Sequence, residues 1–303
     1  MSNKQTTIGS PISFSGKGLH TGAIVTMVVN PAEADRGIVF RRTDIKGSPE
    51  VPALARYVVD TARGTTIKLG KAKVSTIEHL MAALWTMGVD NAVVDIDAPE
   101  TPIMDGSARV YAAEIGRVGI TTLDAERKVM DIKEPVRFAI DKKGVEVIVE
   151  PAEEYSVDVT VDYNSKVVGR QMASYRVGDD FVTNIAPCRT FVFLHEIELL
   201  LKLGLIKGGS VESAIVVVEK PISDSSKRAI CKAFNREDVE VENGYLNHLG
   251  LRFENEIARH KLLDILGDLA LLGRRIKGHV EALRPGHYAN TQMAQELERS
   301  LSK

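Results

Sequence analysis

A chain of 303 residues, 44% apolar and 26% charged, carries enough apolar material for two packed cores. Its 39 Lys and Arg against 41 Asp and Glu leave a formal charge of −2, and with only 5% aromatic residues this argues against a nucleic-acid partner, which needs a basic face or stacking platforms. No run approaches the roughly 18 apolar residues of a membrane span, and the first residues lack the apolar core of a secretion signal. Its two cysteines, Cys188 and Cys231, form no C-x-x-C pair. The expectation is a cytoplasmic protein whose metal, if it holds one, is bound by histidine and carboxylate.

Gly, Pro and Asn/Asp punctuation cuts the first 127 residues into short strand-like runs, among them Ala23–Asn30 and Gly37–Arg41. A helix is predicted over Thr76–Met87: its apolar run Leu80–Trp85 suits burial, Ser75 or Thr76 can cap its start, and Gly88 suits its end. The strand Asn91–Ile96 follows at once. The second half repeats the theme, with strands at Val145–Glu150 and Tyr155–Tyr163, a helix from about Asn255 to Leu272 stopped at Gly273, and a strand at Gly278–Leu283. A polar helix is expected over Gln292–Ser300. The pattern reads as an α+β protein of two pseudo-repeated domains, each a sheet packed against helices, with the helices of the two domains facing each other in the middle. The polar run Asp124–Lys128 divides 1–127 from 128–303.

The histidines carry the chemical signal. His260 and Asp264 are four apart in R-H-K-L-L-D-I-L-G-D, so on a helix both reach one ion, and Asp268 extends the same face. Glu78-His79, at the start of the first buried helix, adds a third ligand and a base. Two histidines and one carboxylate leave zinc a vertex for water, whose pKa falls to about 7, with a glutamate to take its proton. The competing readings are a solvated charged stripe for His260 and Asp264, a helix-dipole carboxylate for Glu78 and a core histidine for His79. His287 follows the last strand in R-P-G-H-Y-A-N, where a turn can present it as a proton donor to a leaving amine, with Asp268 orienting it. His20 lies in the glycine-flanked S-G-K-G-L-H-T-G, which lets backbone approach a ligand. His195, His248 and His279 have no comparable context.

Taken in order, G-L-H-T-G, S-T-I-E-H-L, P-I-M-D-G-S, R-T-F, G-L-R-F-E-N-E, R-H-K-L-L-D-I-L-G-D and G-H resemble the UDP-3-O-acyl-N-acetylglucosamine deacetylases from about Thr7 to Asn290. That resemblance implies a zinc-dependent deacetylase acting in lipid A biosynthesis on a UDP-linked acylated aminosugar. It assigns His79, His260 and Asp264 to the metal, Glu78 to general base and His287 to general acid. It also gives Thr190 to oxyanion stabilisation, Lys261 to substrate contact, and Tyr163 to the uridine end. In Phe191–Ile206 the apolar residues, Leu194, Ile197, Leu200 and Ile206 among them, exceed what one buried helix face needs. The resemblance makes this segment, at about 191–209, the passage for the acyl chain; a short core helix is the alternative. Iron(II) suits the same donors as zinc.

Three features depart from the resemblance. Between Val218 and Tyr245 an insertion is expected to decorate the edge of the second domain. Gly64 stands where some members place a cysteine near the metal, so a single zinc is expected. Some members continue after the equivalent of His287 into a hydroxyacyl-carrier-protein dehydratase domain, a candidate partner in a full-length protein. The rival functions are a zinc amidase for another acylated amine and a silent sugar-nucleotide or lipid-binding module.

Overall fold

A computed structural model describes residues 3–197, 213–234, 236–247 and 249–300. Leu200, Ile206 and His248 lie outside the described residues. The chain is a mixed α+β protein built around two five-stranded sheets of identical plan. The first holds β1 (Ile12–Lys17), β2 (Ile24–Pro31), β3 (Ile38–Arg42), β4 (Glu50–Pro52) and β5 (Ala92–Ile96), in the order β1-β2-β5-β3-β4. The second holds β6 (Val136–Ile140), β7 (Val145–Glu150), β8 (Ser156–Asp162), β9 (Arg170–Arg176) and β10 (His279–Leu283), in the order β6-β7-β10-β8-β9. In each sheet one pair is parallel, β3 with β5 and β8 with β10, and the other pairs are antiparallel. The weak sequence repeat is thus a repeat of topology.

Alternation sets which face is buried: Val25, Met27 and Val29 of β2 point inward, as do Val157, Val159 and Val161 of β8, with exposed or half-buried residues between them. Each such Val or Ile, fully buried, contributes about 1.5–3 kcal/mol. Four longer helices complete the core: α1 (Glu78–Thr86), α2 (Arg109–Val118), α3 (Glu256–Leu269) and α4 (His287–Ser300). α1 and α3 pack against each other, α3 lies on β8 and β9, and α4 packs against α3 and β6. One continuous apolar cluster runs through both halves.

Two local expectations are corrected. Neither Ser75 nor Thr76 caps α1: Thr76 takes a left-handed φ of 58° and gives its hydroxyl to Glu100, and the residue at the cap, Ile77, has no side chain to do the job. The C-terminal helix begins at His287, five residues before the predicted Gln292, because the amide of Asn290 already bonds back to the Gly286 carbonyl. His287 is therefore the first residue of a helix, not a loop histidine.

The two halves are stapled by charge. Residues 120–126 pair with 4–8, whereas 129–131 pair with 275–277 across the seam from them. At this crossing Asp90 accepts from Arg127 Nε at 2.8 Å and Arg275 Nε at 2.9 Å, and Arg275 also donates to the Trp85 carbonyl while lying over the Trp85 ring. Both guanidinium groups are largely buried, so removing Asp90 takes from each the carboxylate they share. Asp90→Ala is expected to destabilise the chain by about 3 kcal/mol, read as a lower urea midpoint. An unmoved midpoint would mean solvent already screens the pair.

The insertion near 219–245 is not an edge ornament by itself. Its hairpin strands 241–242 and 245–246 join strands 191–193 and 215–217 in one four-stranded sheet, and its helix at 224–234 packs Ile230 against them. Beneath that sheet Leu194, Ile197, Val216, Val218, Ile230, Val239 and Leu246 form a separate small core. Leu194 and Ile197, expected to line an acyl groove, lie buried in this small core, and the segment's residues from 198 to 209 lie outside the described residues.

Candidate active site

α1 and α3 meet at a contact set by a glycine. A Cβ on Gly267 would fall 2.1 Å from the Glu78 carbonyl oxygen and 3.1 Å from the Ala82 nitrogen, so only hydrogen fits between the two backbones. Gly267→Ala is expected to cost about 1–3 kcal/mol by forcing the helices apart, measured by urea unfolding. Retention of the wild-type midpoint would show that the helices part freely.

Along α3, Glu256, His260, Asp264 and Asp268 recur every four residues and are all buried. This is one stripe of polar side chains on a helix otherwise covered in Leu and Ile, facing α1 and its neighbours. Buried polar groups persist only when each finds a partner. His260 donates from Nδ1 to the Cys188 carbonyl at 3.1 Å. A carbonyl can only accept, which leaves the Nε2 lone pair free, 3.4 Å from Asp264 Oδ1. His79 Nε2 approaches the same oxygen to 3.9 Å from α1, and its ring meets that of His260 edge-on with centroids 5.1 Å apart.

The donor atoms of His79, His260 and Asp264 all lie within 4.8 Å of one another. That is somewhat wider than the roughly 3.3 Å edge of a tetrahedron with bonds of about 2 Å. Asp264 Oδ1 is buried and accepts no hydrogen bond, whereas Oδ2 accepts from Lys261 Nζ at 2.6 Å. Burial lowers the basicity of both imidazoles, His79 to about 3, so both are neutral ligands at neutral pH. Burial alone would raise Asp264, but His260, Lys261, His287 and His79 around it hold its carboxyl well below the usual range. Two neutral imidazoles and an ionised carboxylate with one orphaned oxygen are the donor set a divalent cation needs.

Glu78 flanks this cluster. Its Oε2 accepts the Thr65 amide at 2.9 Å, and its Oε1 faces His287 Nε2 at 3.8 Å. Burial pushes its pKa up to about 7, with His287 opposing and Asp268 and Asp264 adding to the rise. His287 donates from Nδ1 to Asp268 Oδ2 at 2.9 Å. Burial pulls the His287 imidazolium down, but Asp268, Asp264 and Glu78 outweigh it and bring the group to about 9. It is thus a proton donor whose Nε2 faces the cluster, 3.9 Å from Asp264 Oδ2.

The expected substrate contacts divide. Lys261, Phe191 and Tyr163 come to the cluster: Lys261 Nζ lies 5.4 Å from the Phe191 ring centroid, and Tyr163 stacks edge-on to Phe191 at 5.5 Å, beside His260. His20 reaches it through backbone. Its Nε2 bonds the Arg63 carbonyl, and the next residue, Gly64, would put a Cβ 2.8 Å from Glu78 Oε1. Thr190 lies between Arg189 and Phe191, its amide bonded to the Gly106 carbonyl.

Three partners were missed by the sequence reading: Thr65 and Asn290, which donate to Asp268 alongside His287, and Glu100. Glu100 is fully buried and accepts from the amides of His20 and Thr21 and the hydroxyls of Thr21 and Thr76, tying the His20 loop to the entry of α1. Asn290 could have been found, since a helix opened at His287 puts it one turn on. Thr65 and Glu100 act across distant sequence and left no pattern.

The comparison with known proteins agrees over the whole chain. A family model described as UDP-3-O-acyl N-acetylglycosamine deacetylase matches residues 5–230 and 233–299. A bifunctional LpxC/FabZ enzyme of Bacteroides thetaiotaomicron is 42% identical over 299 residues, 98% of this chain and 65% of the relative. A UDP-3-O-acyl-N-acetylglucosamine deacetylase of Geobacter sp. strain M21 is 41% identical over 294 residues, 97% of this chain and 88% of the relative. One from Myxococcus xanthus is 39% identical over 297 residues, 98% of this chain and 87% of the relative. The chain spans about two thirds of the length of the bifunctional relatives, 64–65% in three of them. With the match unbroken through both helices that form the buried cluster, the chain belongs to the UDP-3-O-acyl N-acetylglycosamine deacetylase family.

Proposed function

We propose that this chain hydrolyses the N-acetyl group of UDP-3-O-acyl-N-acetylglucosamine to acetate and the free amine, the committed step of lipid A biosynthesis. The observation that carries this reading is the convergence of His79, His260 and Asp264 in one buried seam beside Glu78 and the Asp268–His287 pair. His79, His260 and Asp264 would hold one divalent ion, zinc by preference, with iron(II) as the alternative. Such an ion supplies Lewis acidity that polarises the amide carbonyl and acidifies water.

The chain's own residues do the rest. Glu78 takes a proton from the attacking water, whose oxygen adds to the acetamide carbon. The Thr190 hydroxyl donates to the developing oxyanion. As the carbon–nitrogen bond breaks, His287 Nε2 protonates the glucosamine nitrogen. The 3.8 Å between Glu78 Oε1 and His287 Nε2 lets the proton gained by one replace that lost by the other. Asp268, holding His287 Nδ1–H, keeps the imidazole aimed. Lys261, His20, Phe191 and Tyr163 face the sugar nucleotide. A division at 1–127 and 128–303 is supported by the change of pairing partner between residues 126 and 129. A cytoplasmic location suits two free cysteines and a UDP-linked substrate. A C-terminal dehydratase partner is suggested by the bifunctional relatives.

The test loads the purified chain with zinc, counts metal per chain and follows acetate release from the UDP-linked substrate. One ion per chain, with turnover lost to a chelator and restored by zinc, is expected. Cleavage of other acetylated amines but not this one would move the reading to another amidase, and absence of both metal and cleavage would leave a binding module.

A further inference from the structure

Two quoted motifs, R-T-F and G-L-R-F-E-N-E, begin and end on Arg189 and Glu256, charged residues that the proposed chemistry does not use, and the structure pairs them. Arg189 and Glu256 form an ion pair in which both side chains are almost wholly buried, 4% and 0% exposed. Glu256 Oε1 accepts from the Arg189 amide at 3.0 Å and from Nε at 2.9 Å, and its Oε2 accepts from Arg189 Nη2 at 3.0 Å and from the Arg252 amide at 2.6 Å. Arg189 Nη2 also reaches the Gly250 carbonyl. Arg252 in turn donates to the Pro187 carbonyl and to Asp105. Every acceptor position of this carboxylate is therefore used on one short segment and its brace.

The segment so held is Pro187 to Thr190. Its Cys188 carbonyl receives the His260 Nδ1–H and so decides which ring nitrogen faces the metal cluster. Its last residue is Thr190, whose amide is fixed to Gly106. Glu256 opens α3 one turn before His260 and two before Asp264. The same helix that carries the proposed ligands thus grips the segment that orients one of them. We propose that Glu256 and Arg189 are positioning residues, which lock the Cys188 carbonyl and the Thr190 hydroxyl in register with the histidine–carboxylate cluster on α3.

A buried pair of this kind is an expensive way to gain stability, because desolvating both charges offsets most of their attraction, and an apolar pair of the same size does as well or better. Fixing a geometry is what it does that an apolar pair cannot. The bidentate guanidinium sets a direction as well as a distance, and the backbone amides at 189 and 252 have the same carboxylate as their acceptor.

This inference rests on the deacetylase reading only for its kinetic arm. Five variants are compared with wild type: Glu256→Gln, the apolar pair Arg189→Leu with Glu256→Leu, Thr190→Ala alone, and each of the first two combined with Thr190→Ala. Zinc affinity is measured by chelator competition. A ligand histidine that loses its orienting partner is expected to bind zinc about 10- to 100-fold more weakly. Turnover on the UDP-linked substrate is expected to fall through kcat with little change in KM. Adding Thr190→Ala to either background should then cost far less than it costs in wild type, because the hydroxyl is already misplaced.

The apolar pair removes both charges together and so leaves no buried ion unpaired, but it takes the acceptor from the amides at 189 and 252; the urea midpoint of each variant is therefore read beside its zinc affinity, and only folded chains are compared. Wild-type zinc affinity in a folded variant, or a full additional loss on adding Thr190→Ala, overturns the proposal. Should wild type itself leave the substrate uncleaved, the deacetylase reading falls while the zinc arm still decides this one.

Discussion

Replacing His79 by alanine is expected to abolish both metal retention and turnover while leaving the chain folded. Of the three proposed donors His79 alone comes from α1, so its loss leaves His260 and Asp264, two donors from one helix and open on the α1 side. With the ion's transition-state contribution of several kcal/mol removed, turnover falls by at least about three orders of magnitude. Folding and binding can be separated by heat. Wild type, stripped of metal and then given zinc at about a thousandfold over its Kd, gains about 4 kcal/mol and a melting midpoint higher by roughly 5 °C or more. His79→Ala should show no such rise. An equal rise in the variant would place the ion elsewhere.

Glu78→Gln separates the proposed base from the proposed ligands. Glutamine keeps the size of the side chain and an oxygen for the Thr65 amide, so the start of α1 and the ion should both survive. What it loses is the ability to accept a proton. General-base catalysis is worth about 10² to 10⁴ in rate, and a loss of that size in kcat at unchanged zinc content is expected. Undiminished turnover would assign Glu78 to the electrostatics of a helix N-terminus, the competing reading of the sequence.

Much of this centre was legible because its residues sit at helical spacing. His260, Asp264 and Asp268 share one stripe by arithmetic alone, and Glu78-His79 opens an apolar run that could only be a buried helix. The strand positions followed from alternation, and the repeat emerged from the order of helix, glycine and strand. Other features were not legible, each for a physical reason. The left-handed Thr76 is stabilised by Glu100, 24 residues on, so no local rule foretells it. The early start of α4 depended on one carbonyl of Gly286, and a Pro-Gly turn reads equally well as loop. Leu194 and Ile197 looked surplus because their partners at Ile230, Val239 and Leu246 lie across the insertion. The two buried carboxylates Glu100 and Glu256 carried no signal in the sequence, since burial of a charge is decided by what folds over it.

The identical strand order of the two sheets bears on how such a centre could have arisen. In each sheet the parallel pair is bridged by a connection that carries the site helix, α1 between β3 and β5, and α3 between β8 and β10. If both descend from one ancestral unit that associated with its own twin, the two-fold axis between the twins would have offered ligands only in even numbers. Of the three residues proposed as ligands, α1 carries one and α3 two. An odd tally cannot be symmetric, so on this descent the centre as it now stands is younger than the fusion that joined the copies.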